Sequence, residues 1–497
     1  MIDKLWFLVP ELILFGGVVV VAILGLVQSN RLRGWVPWTT ALFILAAGAA
    51  SPFIYCDEAM GSSGLLLPGL AGPACLIACI VAIGLLLLSI GRVDRGYETA
   101  IAQGRATFDP IRATGGEYHV FFLLSLAGLL LVSIADDLIW LFLALELASL
   151  PTYVMVAMSR GSIRAQEAAM KYFFLGAMSA ALFLYGFALL YGATGTLVLT
   201  EMQAAFADQI ARGELGMLGI VGMLLALLGI GFKLAAVPMH LYAADVYEGA
   251  AVHVTAFLGF IPKAAGVMAF MILLSTMGWA EGVGLPAPIL IMLWVVSVLT
   301  MTLGNIAALL QKSVKRMLAC SSIAHSGYLL IGIIAGPGAG FNAVMLYLLI
   351  YGIGNTASFA VLSSLQRGGV ELESVEDLAG LRHKHPWSAT AMAISAGSLL
   401  GFPPLLGFWG KLALFIAGIA SGRLVLVLVA AINSAISAWY YLRLVGLPLM
   451  ADRNERSDAV ERIDSPWPRL TALVLAAMLI MLPIILGLLY AVTDISS

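Results

Sequence analysis

Residues 229–250 read GIGFKLAAVPMHLYAADVYEGA, an apolar run that carries Lys233, Pro238 and His240. A charge at bilayer depth costs from about 3 to more than 10 kcal/mol, so it persists there chiefly by facing the protein interior or a wet cavity. Proline removes a backbone donor and collides with the preceding helical turn, which predicts a kink or break near Ala235–Pro238. Backbone groups left unpaired by a break are tolerated at membrane depth only inside protein or beside water. The stretch therefore sets an ammonium group next to a place where water can reach the middle of a membrane.

The same combination returns at 401–415, GFPPLLGFWGKLALF, with Pro403 and Pro404 ahead of Lys411. Two proline-interrupted segments in corresponding places of two halves point to a transporter built from inverted repeats. The order of proline and lysine differs between the two, so the residues suggest the repeat without proving it. Between them, FLGFIPKAAGVMAF (257–270) holds Lys263 directly after Pro262, and LIWLFLALELASLPTYVM (138–155) holds Glu146 ahead of Pro151. A carboxylate and an ammonium in one low-dielectric site each favour the other's charged form, while desolvation opposes both. A lysine balanced in this way is expected to release or recapture its proton as Glu146 moves away or returns.

Each group also has a plainer reading. One buried lysine can be a structural ion pair, or it can snorkel to an interface. Three lysines and a glutamate, two of the lysines at proline breaks, read as an ion or proton pathway. His325, in SSIAHSGYLLIGI (321–333), reads either as a relay between lysines or as a hydrogen-bonded packing residue. His240 and His253 are weaker candidates. Glu11 after Pro10 reads as interfacial, Glu167 and Lys171 as an ordinary i, i+4 pair, and Asp136–Asp137 as a turn.

Composition agrees with a membrane setting. Of 497 residues 61% are hydrophobic and 11% charged, and the net charge of −2 offers no basic face for nucleic acid. The cysteines Cys56, Cys75, Cys79 and Cys320 form no CxxC pair, so buried small residues are a better reading than a metal or cluster site. No dinucleotide or phosphate-loop fingerprint appears, which gives no support to nucleotide or flavin binding.

A spanning helix needs about 20 apolar residues. Fourteen such segments begin near 5, 35, 65, 117, 138, 165, 215, 251, 285, 317, 340, 387, 422 and 467. The first is followed by no small-residue cleavage site, so it reads as a helix and not a signal peptide. Polar joints at Arg92–Arg112, at Arg367–Pro386 (with ELESVEDLAGLRHKHP) and at Asp452–Pro468 separate neighbouring segments, and no soluble domain is visible. The expectation is an all-α polytopic membrane protein. Of its 26 Lys and Arg, Lys4, Arg212 and Arg423 lie on one side and the three lysines inside, and the rest gather at joints of the other side. This bias places both termini outside the cytoplasm. The joint after segment seven breaks the pattern, with Asp245 and Glu248 but no Lys or Arg.

The stretches LALELASLPTYVM (143–155), AAMKYFFLGAMSAALFLYG (168–186), GFKLAAVPMHLYAADVYEGA (231–250), KRMLACSSIAHSGYLLIG (315–332) and GFPPLLGFWGKL (401–412) resemble the antiporter-like membrane subunits of respiratory complex I. Within that family, the DVYEGA tract and the fourteen-helix length are most similar to the N-type subunit of the proton-pumping NADH:quinone oxidoreductase. So is the stop at Ser497 without a long lateral helix. The resemblance, over about residues 5–490, implies two inverted five-helix repeats, segments 4–8 and 9–13, with segments 7 and 12 broken. The units would be 1–116, 117–278, 279–448 and 449–497. By match of motif, Glu146, Lys233, Lys263 and Lys411 take the proton-translocating roles, supported by His240, His325, Pro238, Pro403 and Pro404.

The resemblance further implies a place in the bacterial inner membrane beside other membrane subunits, further antiporter-like ones among them. NADH, FMN, iron–sulfur clusters and quinone would belong to partner subunits, with no cofactor held by this chain. One departure stands out: the family usually continues the VYEGA tract with proline, where this chain has Ala251 followed by VHVTAFLGF. Rival expectations are a subunit of a multi-subunit cation/proton antiporter and a subunit of an energy-converting hydrogenase. A small-solute permease is the remaining class, and nothing here reads as an organic substrate pocket.

Overall fold

The computed structural model describes residues 5–27, 29–56, 60–61, 63–91, 103–105, 115–159, 163–279 and 284–495. Apart from 103–105, the joint expected at 92–112 lies outside the described residues. Twelve helices among the described residues are long and apolar enough to cross a membrane: Val9–Leu26, Arg31–Ile54, Pro68–Ser89, Gly116–Ser133, Leu138–Met158, Ile163–Thr194, Val252–Met277, Ala287–Leu309, Val314–Ala335, Ala339–Ser363, Leu424–Met450 and Trp467–Ile485. They take the places of segments one to six, eight to eleven, thirteen and fourteen. Segment seven is divided into Met217–Ile230 and Ala243–Gly249, and segment twelve into Pro386–Leu400 and Leu406–Ala420. The fold is that of an all-α polytopic membrane protein.

The segments differ in what surrounds them. Within their most apolar 18 residues segments eight and ten are wholly buried and segment eleven 89% buried, whereas in the first, second, sixth and last no more than 33% of those residues are buried. Ile23, Leu42, Phe174, Leu428 and Trp439 are exposed on that outer rim, as suits a chain whose solvent is hydrocarbon. The buried central helices are the ones that carry Lys263, His325, Tyr347 and Tyr351. Segments six and seven approach backbone to backbone: a Cβ on Gly186 would lie 2.4 Å from the amide nitrogen of Ala226, and one on Gly229 2.6 Å from that of Phe183. Small residues permit such packing where the hydrophobic effect supplies no drive between helices.

Several elements differ from the sequence expectation. Segment eight is not one continuous helix but Val252–Leu258 and Ile261–Met277, with Pro262 in the first turn of the second piece. A helix at Leu199–Ala211 joins segments six and seven; it buries Leu199, Met202 and Phe206, while the Gln203 side chain donates to Ser275 O at 2.8 Å. The all-α expectation has one exception, a three-stranded antiparallel sheet in the order Val370–Glu371, Leu365–Arg367, Val460–Arg462. Its hairpin turns on Gly368 and Gly369, both at positive φ, as a two-residue β-turn requires. His385 ties the sheet to segment twelve: Nε2 donates to Val460 O at 3.2 Å and Nδ1 accepts from Arg462 at 3.0 Å. Burial, with some help from the charges of Arg462 and Lys384, holds its imidazole below the usual histidine range.

Asp137 is a helix cap and not merely a turn, accepting from the Trp140 amide at 2.7 Å. Glu11, in the first turn of its helix, is 1% exposed and packed under Tyr55. Glu167 and Lys171 pair as expected, at 2.8 Å. Lys171 also reaches Asp245 at 2.9 Å, and Arg316 reaches Asp245 at 3.2 Å and Glu248 at 2.8 Å. The acidic joint after segment seven thus draws its cations from segments six and ten, which accounts for its lack of Lys and Arg.

Candidate proton pathway

Both breaks begin with the same local device. In segment seven the first helix ends at Ile230, Ala235 adopts the left-handed conformation (φ 53°), and the Ala236 amide reaches back to Gly231 O at 2.8 Å. In segment twelve Gly401 takes the left-handed position (φ 85°) and the Phe402 amide reaches Gly397 O at 3.0 Å. These are Schellman-type stops, in which a left-handed residue turns the chain and serves the last carbonyls. The peptide bonds before Pro238 and Pro404 are cis. Side chains serve much of what the first break frees: Ser326 donates to Leu234 O at 2.5 Å, Tyr242 to Phe232 O at 2.9 Å, and the Val237 amide donates to Thr300 at 3.0 Å. Irregular backbone at this depth is thereby satisfied inside protein.

The charged groups cluster around these stops. Lys233 Nζ lies 3.2 Å from Glu146 Oε1 and donates to Ser149 Oγ at 2.6 Å, with its side chain 2% exposed and that of Glu146 15%. Lys263 is fully enclosed; its amine donates to the carbonyl and hydroxyl of Ser322 and stands 5.0 Å from the centre of the Tyr351 ring. Lys411 donates to Leu400 O at 2.7 Å and to Ser434 Oγ at 3.0 Å, and lies 4.9 Å from the Tyr328 ring centre. Leu400 is the last residue of its half-helix, so Lys411 supplies the positive charge that a helix C-terminus favours. A Cβ at Gly401 would meet Lys411 Cδ at 2.9 Å, so the glycine both turns the chain and makes room for the lysine.

His325 joins the second half of the line. Its Nδ1 is 2.6 Å from the Tyr347 hydroxyl and its Nε2 2.8 Å from that of Tyr441. Its ring also packs on Tyr351, the aromatic partner of Lys263, and on Tyr328, the aromatic partner of Lys411. Toward Lys233, the Ser326 hydroxyl donates to Leu234 O, with Ser322 O the longer alternative acceptor at 3.3 Å, and Ser322 O is the carbonyl that receives Lys263. The structure thus brings Glu146 to Lys233, and His325 between Lys263 and Lys411. His240 is not brought in: it lies half-buried in the break, and no hydrogen bond or ion pair among the described residues joins it to the four charged groups. Pro238, Pro403 and Pro404 lie in the non-helical stretches, outside the hydrogen-bonded line.

The residues that sequence reasoning missed are the neutral ones: Ser149, Ser322, Ser326, Ser434 and the tyrosines. A signal for some was present. Ser149 is three residues after Glu146, Ser322 and Ser326 are four apart around His325, and Tyr347 and Tyr351 are four apart, which are the spacings of one helix face.

At the point where the family usually has proline, Ala251 keeps a proline-compatible backbone (φ −66°, ψ 151°), and its extra N–H donates to Ser159 Oγ at 3.2 Å. The preceding Ala250 is extended (φ −73°, ψ 157°), as a residue before proline must be. The backbone at this position suits proline, but Ala251→Pro removes the N–H bonded to Ser159, so the variant is expected to fold and to lose more than about 1 kcal/mol of stability. Thermal unfolding in detergent checks it, and failure to assemble would contradict this account of the position.

The fold and its buried charges define an antiporter-like, multi-pass membrane protein. Residues 135–437 match the NADH:quinone oxidoreductase/Mrp antiporter transmembrane family, and the chain belongs to that family. It is 41% identical over 368 residues to NADH-quinone oxidoreductase subunit N of Trichlorobacter lovleyi, covering 73% of this chain and 72% of that one. Against subunit N 1 of Koribacter versatilis it is 36% identical over 457 residues, 89% of this chain and 86% of that protein. A chain of respiratory complex I from Thermus thermophilus superposes with a TM-score of 0.75 at 30% identity, over 96% of this chain and 98% of that one. A chain of the Mrp complex from a Dietzia species shares the fold, with a TM-score of 0.76 at 21% identity over 98% and 96% of the two chains.

Proposed function

We propose that this chain is the N-type membrane-arm subunit of a bacterial NADH:quinone oxidoreductase and moves protons along Glu146, Lys233, Lys263, His325 and Lys411. The redox centres and the NADH and quinone sites belong to partner subunits in the inner membrane, and both termini of this chain lie outside the cytoplasm. Segments 4–8 and 9–13 act as two inverted halves, each with its break. Moving one charge against the membrane potential costs about 2.3 kcal/mol per 100 mV, so the lysines cannot pump unaided. Quinone reduction in the partners supplies the energy by displacing charge toward Glu146. The proton that Lys233 gives up passes by way of Lys263 and His325 to Lys411.

The observation that carries this reading is His325, seated between the tyrosine under Lys263 and the tyrosine under Lys411 with both ring nitrogens on tyrosine hydroxyls. His325→Phe keeps a ring in place and removes the relay. In the assembled complex in proteoliposomes, quinone reduction is expected to continue while protons moved per quinone fall. Undiminished pumping would overturn the pathway.

A further inference from the structure

Glu11 is a buried carboxyl group that the lysine line does not use. It sits in the first turn of Val9–Leu26, 1% exposed. Tyr55 Oη stands 3.1 and 3.3 Å from its two carboxyl oxygens and 3.0 Å from the carbonyl oxygen of Phe7. The backbone N–H of Glu11 faces its own carboxyl group. Among the described residues, the other titratable groups facing the pair are the thiols of Cys75 and Cys79, on Ala71–Ser89. Among the described residues no Lys or Arg pairs with Glu11.

The hydrogens at this site can be counted. A phenol has one to donate, and a carbonyl oxygen can only accept. With Glu11 ionised, the part-buried Phe7 O and the buried carboxylate compete for the single Tyr55 hydrogen, and one of them loses that donor. An acceptor shielded from water and left without a donor costs free energy, most of all when it is charged. With Glu11 as the neutral acid every group is served. The carboxyl O–H donates to Tyr55 Oη, Tyr55 donates to Phe7 O, and the remaining carboxyl oxygen accepts the Glu11 N–H.

We propose that Glu11 and Tyr55 form a proton-binding site separate from the lysine line, with the proton carried on the Glu11 carboxyl and held by the Tyr55 hydroxyl. Release of that proton obliges Tyr55 to turn its O–H from Phe7 O to the carboxylate. Occupancy of the site is thereby linked to the grip of Tyr55 on the chain ahead of the first helix. This inference does not depend on the pathway proposed above.

Infrared difference spectroscopy on the full-length chain in lipid nanodiscs, wild type minus Glu11→Gln at neutral pH, reads the site. The expected result is a carboxylic-acid C=O band that shifts in heavy water. The band should shift again in Tyr55→Phe, where the acid loses its acceptor. A difference spectrum holding only carboxylate stretches overturns the proposal. Should Glu11→Gln fail to fold, Glu11→Asp serves instead: an acid band moves if the proton is there, and only carboxylate bands move if it is not.

Discussion

Lys233→Ala in the assembled complex is expected to slow proton transfer through this subunit by roughly tenfold or more, the equivalent of at least about 1.4 kcal/mol on the barrier. Quinone reduction in the partner subunits should fall less. The reason is the geometry around the amine: Lys233 is the group that Glu146 touches, at 3.2 Å, and it lies within the turn that breaks segment seven. Glu146→Ala acts on the same pair from the other side. It leaves a buried ammonium with Ser149 but no counter-charge, a loss that costs about 3–5 kcal/mol in a buried pair. The lysine meets that cost most readily by shedding its proton, so the two variants should fail alike. Glu146→Gln keeps an acceptor at the same place without the charge and separates the electrostatic part from the hydrogen bond. Pumping and quinone reduction measured side by side in proteoliposomes decide the matter, and full pumping in both alanine variants removes the role assigned to the pair.

The second large effect falls on stability. Glu371, in the sheet, accepts the Val252 amide on both carboxyl oxygens, at 3.0 and 3.1 Å, and so caps the first piece of segment eight. Its carboxylate also faces Lys315 Nζ at 3.6 Å, and that amine donates to Ala250 O at 2.7 Å. The Lys315 side chain is 1% exposed. Glu371→Ala removes a cap and the carboxylate facing a buried cation together, and it is expected to cost about 3–5 kcal/mol. Glu371→Gln retains an acceptor for the amide and should cost less. Unfolding midpoints of the full-length chain in nanodiscs, wild type against both variants, test this, and equal midpoints would refute the ion-pair argument.

What the sequence made legible, and what it hid, follows from how far each interaction reaches along the chain. The breaks were readable because proline acts on its own backbone, and the stops at Ala235 and Gly401 lie within a few residues of Pro238 and Pro403. The segments were readable because bilayer thickness sets their length. The Glu167–Lys171 pair was readable because it lies on one helix face. The neutral partners of the buried lysines were not, because Ser322 meets Lys263 from 59 residues away and Ser149 meets Lys233 from 84. The sheet was hidden for a different reason: strands of two and three residues show no alternation, and Gly368–Gly369 was their only local sign. The burial of Glu11 was hidden because Tyr55, which covers it, belongs to the end of the next helix. Local rules thus reached the skeleton and the charges. The neutral hydroxyls that link those charges are fixed by tertiary packing alone.

A neutral imidazole bears one N–H, and His325 has a tyrosine oxygen at each nitrogen. It must therefore give to one tyrosine and take from the other, which gives the chain of O–H and N–H bonds a direction. On the proposed pathway, a proton arriving on the accepting nitrogen would expel the one on the donating nitrogen and leave the ring in its opposite tautomer, with the bonds to both tyrosines reversed. A second proton cannot follow by the same route until the ring or its tyrosines have swung back. On the pathway proposed above, the histidine would act as a turnstile that passes one proton per reset, and the time of that reorientation in a tightly packed core would limit its turnover.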